Sequence, residues 1–222
     1  MIKKICLQIT TLLFLLNIGH ANTELDKYAK LGARLSITNE SDSWIKISVP
    51  FNLLTTPRLA QIGTSRPTTL EGAFNPEYAN NVRVKLYLCF TNEFKKKALR
   101  SSRLPDTSFF QYYSAEQVFE TIKLDRNTIN ANFLFPTAIA DRDGFGGGYV
   151  TPTGYAVEIS IDGTPLEISN SIVFDKHRDI SILLKFKEQA VQKSNLNSNI
   201  LIPAHHVYPN YYLKGAHLKL GL

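Results

Sequence analysis

Polar and apolar residues alternate over several short stretches of this chain, and residues 82–90, with the sequence VRVKLYLCF, show this most clearly. Every second side chain there is a valine, leucine or phenylalanine, and the positions between them hold Arg83, Lys85, Tyr87 and Cys89. A helix would scatter the five apolar side chains around its circumference, whereas a pleated strand places them on one face. The pattern therefore predicts a strand with one face against a hydrophobic core.

Similar patterns predict further strands at residues 34–38, 44–53, 109–118, 129–135, 155–161, 166–169, 172–174 and 180–186. Residues 109–118 also fit a capped helical turn, but their aromatic density and the β-branched residues that follow favour a strand. About eight or nine short strands with few helices indicate an all-β fold, an antiparallel β-sandwich. We prefer it to a barrel because the strands are uneven and some connections are long. The predicted core uses the inward faces of residues 45–53, 82–90, 155–161 and 180–186.

The segments between the predicted strands also have sequence patterns that predict their structure. Residues 54–81 hold three prolines and two glycines and predict a long surface connection, which is a candidate binding surface. Residues 162–165, with the sequence DGTP, predict a hairpin, and residues 141–148 predict a glycine-rich turn. Pro50 indicates an edge position or a bulge, because proline cannot donate to a strand ladder.

The first residues are typical of a secretory signal. Lys3 and Lys4 precede an apolar run at residues 5–18, and small residues lead up to Ala21. We expect a signal peptide at residues 1–21, with an uncleaved membrane anchor as the alternative. The exported protein would then be periplasmic or at the cell surface, with no stable membrane span. Residues 22–33 would form a leader or short helix, residues 34–189 the sandwich, and residues 190–222 a polar linker with an aromatic tail or edge strand.

Net charge and cysteine content indicate the surroundings in which the protein acts. Cleavage would remove two lysines and no acid, so the net charge would fall from +6 to +4. A mildly cationic exported protein suits cell-wall polymers, phospholipid headgroups or acidic glycans. Nothing in the chain indicates nucleic-acid binding. Cleavage would also remove Cys6 and leave Cys89 alone, which excludes an internal disulfide. We expect Cys89 to be a small buried residue, with an intermolecular disulfide or a reactive thiol as alternatives.

Two segments are candidate partner contacts. Five cations fall within nine residues, at Lys95, Lys96, Lys97, Arg100 and Arg103. They indicate either a solvated connection or an electrostatic contact with an anionic polymer, glycan or partner. The tail at residues 200–222 is rich in aliphatic and aromatic side chains, including Tyr208, Tyr211 and Tyr212. We expect it to dock on a partner rather than join the core, with an edge strand folded onto its own domain as the alternative.

No residue set predicts a reaction, a cofactor or a metal site. Asp141 and Asp143 before Gly144 resemble part of a calcium loop, but the later oxygen ligands are missing. His205, His206 and His217, and the trio of Asp175, His177 and Asp179, are better explained as surface polar residues. We therefore predict a protein that is not an enzyme.

Four stretches resemble a known family. They are WIKISVPF at residues 44–51, NPEYANNVRVKLYL at 75–88, FFQYYSAEQV at 109–118 and FLFP at 133–136. Together they are similar to immunoglobulin-like, pilus-associated exported bacterial proteins encoded beside type IV pilus assembly genes. The resemblance implies an immunoglobulin-like sandwich with a structural or adhesive role in the cell envelope. Its partner would be a protein of the envelope or pilus apparatus. The alternatives are a glycan-binding sandwich that uses aromatics such as Tyr149 or Tyr211, and a hydrolase with an unrecognised site.

Overall fold

The computed structural model describes residues 25–62, 75–99, 103–145, 150–211 and 216–218, which form two antiparallel β-sheets face to face. The strands of the first sheet are β1 (Ala29–Leu31), β2 (Ser36–Asn39), β3 (Trp44–Leu53), β6 (Ile129–Pro136) and β10 (Ile202–Pro203). The second sheet contains β4 (Tyr78–Thr91), β5 (Phe110–Lys123), β7 (Gly154–Ile161), β8 (Thr164–Pro165), β9 (Ile172–Phe174) and β11 (Ala216–Leu218). The predicted all-β sandwich is confirmed.

Strand order places short strands at the edges. In the first sheet β1 and β2 both pair with β3, followed by β6 and β10. In the second sheet the order is β11, β5, β4 and β7, and both β8 and β9 pair with the outer side of β7. Within the described ranges, four α-helices connect or cover these strands, namely α1 (Pro57–Ile62), α2 (Glu93–Ala98), α3 (Thr137–Asp143) and α4 (Ile180–Lys193).

The core lies between the sheets and is built from the inward faces of the long strands. Three of the four predicted core stretches, at residues 45–53, 82–90 and 155–161, place their alternating apolar side chains there. At one end four rings meet: Phe90 stacks on Phe145 at 4.8 Å between centroids, and Tyr113 meets Phe135 edge-on at 4.9 Å. Aromatic pairs in these geometries stabilise the core beyond the effect of burying their apolar area.

The predicted strand at residues 180–186 is wrong, because this segment is the first half of the 14-residue helix α4. Its alternation ends at Phe186, and the longer pattern that places Phe186 and Ala190 four residues apart has the helical period. The Asp179 side chain caps the helix by accepting a hydrogen bond from the Ser181 amide at 2.8 Å. The helix packs on the outer face of the second sheet, so a second, smaller apolar cluster lies outside the sandwich core.

Other elements also differ from expectation. The connection at residues 54–81 includes helix α1, whose Leu59 amide donates to the Thr56 hydroxyl at 3.2 Å, and its last residues belong to β4. Residues 166–169 form no strand, and Ala29–Leu31 is a strand rather than a helix. The predicted hairpin is confirmed, since Asp162 and Gly163 both have positive φ, 50° and 78°, as a two-residue turn between β7 and β8 requires.

Candidate functional site

An open groove runs between the two sheets at the edge where β2 and β9 lie. Its main cavity has a volume of about 770 Å³. Its walls are largely apolar and come from both sheets and the segment before β7, with the side chains of Leu35, Ile37, Ile45, Val150, Tyr155 and Val173. A ligand in solvent can therefore reach the edge of the sandwich interior through this groove.

Short edge strands leave this groove open. β2 has four residues and β9 has three, so neither covers the full length of the neighbouring strand. β1 and β2 are separated where the Gly32 amide donates to the Pro50 carbonyl at 2.7 Å. Because the N and C=O of a strand residue point to the same side, the ring nitrogen of Pro50 faces this interruption, where it cannot return the hydrogen bond that Gly32 donates. β3 has partners on both sides, so Pro50 lies at the break between β1 and β2 rather than at the predicted edge position or bulge.

A second depression of about 580 Å³ extends the groove past Tyr155. Both cavities are lined in part by the same five residues, Thr151, Pro152, Tyr155, Val173 and Asp175, so they adjoin one another. The extension is polar at its far end, where Lys96 pairs with Asp106 at 3.1 Å and Lys176 lines the wall. The groove thus offers an apolar floor at one end and charged groups at the other.

Tyr155 lies at the junction of the two cavities and links the sheets. Burial raises the pKa of its hydroxyl, whereas the nearby Arg34 charge and a hydrogen bond with the Leu35 backbone act in the opposite direction. The side chain therefore stays neutral at physiological pH. Its ring presents an apolar surface and its hydroxyl a polar one, the combination that tyrosine contributes to binding surfaces.

The predicted cationic segment lies on and after helix α2. Asn92 caps this helix, with its side-chain oxygen accepting from the Lys95 amide at 2.8 Å. Lys95, Lys97 and Arg103 are exposed, while Lys96 is half-buried at the groove end. Arg100 lies outside the described residues. Contact of this segment with an anionic partner stays a prediction.

The carboxy-terminal tail folds onto its own domain, which corrects the prediction of an arm that does not join the core. Leu201 is buried, and β10 pairs with Leu134 and Phe133 of β6. The Lys46 ammonium donates to the Tyr211 hydroxyl at 3.1 Å and pairs with Glu40 at 2.8 Å. The alternative of an edge strand is therefore the one observed, because the apolar residues around Leu201 complete the first sheet.

The predicted tail tyrosines have different positions. Tyr208 donates to the Ser41 hydroxyl at 3.4 Å and contacts the Tyr211 ring at 6.2 Å between centroids. Tyr212 lies outside the described residues, as does Tyr149. Docking of Tyr208 and Tyr211 on a partner stays a prediction.

The residues considered for metal or acid–base chemistry serve structural contacts. Asp143 is buried against Arg142 at 2.7 Å, and Gly144, with φ 72°, ends helix α3. His177 stacks on Phe174 at 5.4 Å between centroids. Among the described residues no group of three or more His, Cys, Asp or Glu comes together to hold a metal ion.

Cys89 is buried as expected. Burial raises the pKa of its thiol to about 12. The thiol is therefore protonated and unreactive in the native protein at neutral pH.

The chain matches no protein-family model and no curated protein. It is similar in structure to a protein from Akkermansia muciniphila whose crystal structure is known. The TM-score is 0.53 with 11% sequence identity, over 90% of this chain and 98% of that one. At this identity the likeness concerns the fold alone. In the described part of the chain, no helix combines the length and the apolar character needed to cross a bilayer.

Proposed function

We propose that this protein is a non-enzymatic, exported cell-envelope protein of the immunoglobulin-like, pilus-associated kind, with a structural or adhesive role. The strand sequences at residues 44–51, 75–88, 109–118 and 133–136 support the pilus association. The mature protein would act outside the cytoplasm, in the periplasm or at the cell surface.

The observation that carries the proposal is the open groove at the sandwich edge, where short strands leave the interior accessible. A groove with largely apolar walls beside a strand edge fits an extended peptide whose alternate side chains point inward. β2 pairs with β3 alone among the described strands, so its outer backbone groups are available to such a peptide. We therefore assign the groove to an extended segment of a protein partner in the envelope or pilus apparatus.

Photo-crosslinking in the exporting cells tests this assignment. A photoreactive amino acid at Val173, 36% exposed in the groove, is compared with the same group at Val207, 39% exposed outside it. We expect a cross-link at Val173 to an extended segment of an envelope or pilus protein, identified by mass spectrometry. Ile37→Glu, which places a charge on the groove wall, should reduce that cross-link several-fold.

The alternative functions make different predictions in the same experiments. Equal cross-linking at both positions, or cross-linking at Val207 only, would contradict a partner site in the groove and favour the tail. Specific binding on a glycan array, lost in Tyr155→Ala, would replace the protein partner with a carbohydrate. Turnover in a hydrolase screen that a single Asp or His substitution abolishes would contradict the non-enzymatic role.

A further inference from the structure

Helix α4 is held against the second sheet, so its exposed side is well defined. The Phe186 ring stacks on Phe174 with centroids 4.6 Å apart, and Lys187 pairs with Glu158 of β7 at 2.8 Å. One contact is apolar and the other ionic, and they lie one residue apart along the helix. Rotation of the helix about its axis would break both contacts.

One flank of α4 exposes large apolar side chains that neither sheet covers. Ile180 is 73% exposed, Leu184 50% and Val191 40%. At 3.6 residues per turn these three positions fall within about 40° of one another around the helix. We call these three residues the α4 flank. Burial in the domain does not explain their apolar character, and all three face the same side of the helix.

The segment that contains the α4 flank is cationic. Residues 176–193 contain five lysines or arginines and two acids, Asp179 and Glu188, which gives a net charge of +3. Asp179 is engaged as the helix cap. The exposed cations are Lys176 and Arg178, which directly precede the flank, and Lys185 and Lys193, of which Lys193 lies over the Tyr112 ring at 5.6 Å. An anionic surface would therefore be attracted to this segment, most strongly where Lys176 and Arg178 precede Ile180.

We propose that the α4 flank binds the surface of an anionic phospholipid bilayer. Amphipathic helices with an apolar strip and lysines or arginines beside it lie in the bilayer interface, where the apolar side chains enter between the headgroups. Basic residues next to the strip contact the anionic headgroups. A convex ridge on a fixed helix suits a flat, deformable lipid surface better than it suits a recessed protein site. The protein would thus be held at a membrane face of the envelope without spanning it.

Vesicle binding tests the proposal. The processed protein is used, with its amino terminus verified by mass spectrometry, because the apolar run at residues 5–18 would itself bind lipid. Co-sedimentation is measured with vesicles of phosphatidylcholine containing phosphatidylglycerol and with pure phosphatidylcholine. We expect binding to the anionic vesicles at least ten-fold stronger than to the neutral ones, and weaker at high salt.

Matched variants locate the contact. Leu184→Ser should reduce binding at least five-fold, whereas Leu25→Ser, at a leucine 45% exposed, should leave it unchanged. Lys185→Gln should weaken binding more than Lys30→Gln, since both lysines are exposed but only Lys185 lies on α4. Circular dichroism of each variant verifies the fold.

A fluorescent label gives a second readout. Cys89 is buried, so a cysteine introduced as Leu184→Cys can be labelled selectively with an environment-sensitive dye. Its emission should shift to shorter wavelength with anionic vesicles, while the dye on Leu25→Cys should not respond. Absence of binding, or equal responses at both sites, would overturn the proposal. So would a dimer that Leu184→Ser dissociates without any vesicle binding, because the flank would then be a protein interface.

Discussion

The outer faces of the two sheets are covered in different ways. On the second sheet, Tyr87, Cys89 and Ala156 point outward and are buried beneath α4, mainly through Phe186 and Ala190. On the first sheet, the outward residues near the tail are mostly polar, apart from the buried Leu134, and their cover makes hydrogen bonds. There Lys46 meets Tyr211 and Glu40, and Ser48 donates to Asn132 at 2.7 Å. The first arrangement stabilises by removing apolar area from water, and the second mostly satisfies polar groups that would otherwise be exposed.

This difference predicts unequal costs of disruption. Burial of an aromatic ring contributes several kcal/mol, whereas a partly exposed ion pair contributes about 0–1 kcal/mol. The helix cover should therefore behave as part of the folded core. Loss of the polar contacts of the tail should change the free energy of unfolding very little. Loss of the apolar anchor of the same tail should lower it clearly.

The largest effect is expected for Phe186→Ala. The ring is buried between Phe174 and Tyr112, so its removal should lower the free energy of unfolding by about 3–5 kcal/mol. Phe94→Ala is the matched control, because that ring is exposed on α2 and should cost under about 1 kcal/mol. Urea denaturation measures both. Similar values for the two variants would show that α4 is not an integral cover of the second sheet.

A somewhat smaller loss is expected at the apolar anchor of the tail. Leu201 is buried in the core beside β10, so Leu201→Ala should cost about 2–4 kcal/mol. Leu196→Ala, at a leucine that is almost fully exposed, should be close to neutral. A chain that ends at Asn199 should melt more than about 4 °C lower than the full protein. Unchanged melting of that chain would restore the interpretation of the tail as an independent arm.

These two regions also show what the sequence predicted and what it did not. The inner faces of β3, β4 and β7 followed from alternation alone, because a period of two leaves little ambiguity when one face is buried. Helix α4 was missed because residues 180–186 alternate over seven positions, and only the next turn, with Ala190, reveals the helical period. Tyr87 and Cys89 lie on the face of β4 that points away from the sandwich core. Their presence there indicated that another element covers that face.

The candidate groove could not be predicted from sequence in the same way. Its walls come from β2, β3, β7 and β9, which are distant in the chain and meet only through sheet pairing. Tyr155 was predicted as a core residue, and its position at the open edge depends on the short lengths of β2 and β9. The tail was misassigned because composition identifies apolar residues but does not indicate whether they pack within the domain or on a partner.

A moderate effect is expected at Gly154, where the helix cover lies close to the sheet. A Cβ at Gly154 would lie 2.8 Å from the Phe174 ring, 2.9 Å from the Phe186 ring and 2.9 Å from the Val173 carbonyl oxygen. Because the carbonyl belongs to the paired strand and cannot move freely, Gly154→Ala should cost about 1–3 kcal/mol.

The contact between Gly154 and the Phe186 ring can be tested with a double-mutant cycle. Adding Phe186→Leu to Gly154→Ala should cost less than the sum of the two single variants, since the smaller side chain relieves one of the clashes. Thermal unfolding of the four proteins measures this coupling. Additive losses would mean that Phe186 does not restrict the space above Gly154.

The smallest effect is expected at the polar contacts of the tail, and it should depend on pH. Hydrogen bonds from Lys46 and Tyr211 lower the pKa of Glu40, and the hydrogen bond with Glu40 raises the pKa of Lys46. A carboxyl whose pKa is lower in the folded state stabilises the fold above its unfolded pKa of about 4.3, and this contribution is lost as the pH falls. A lysine whose pKa is raised stabilises the fold below about 10.4, and this contribution is lost as the pH rises through its folded pKa.

The pair should therefore contribute between about pH 5 and pH 10, and Glu40→Gln measures how much. The variant should be less stable than the natural protein by about 0.2–1 kcal/mol at pH 7, because both side chains are about a quarter exposed and solvent screens the pair. The difference should begin to decrease as the pH falls below about 4.3, vanish once the pH is below the lowered pKa of Glu40 in the folded protein, and shrink in high salt. Glu77→Gln, at an exposed acid without such a pair, serves as the control. A loss above about 2 kcal/mol, or one that does not decrease as the pH falls below about 4, would show that the first sheet depends on its polar cover as strongly as the second sheet depends on α4.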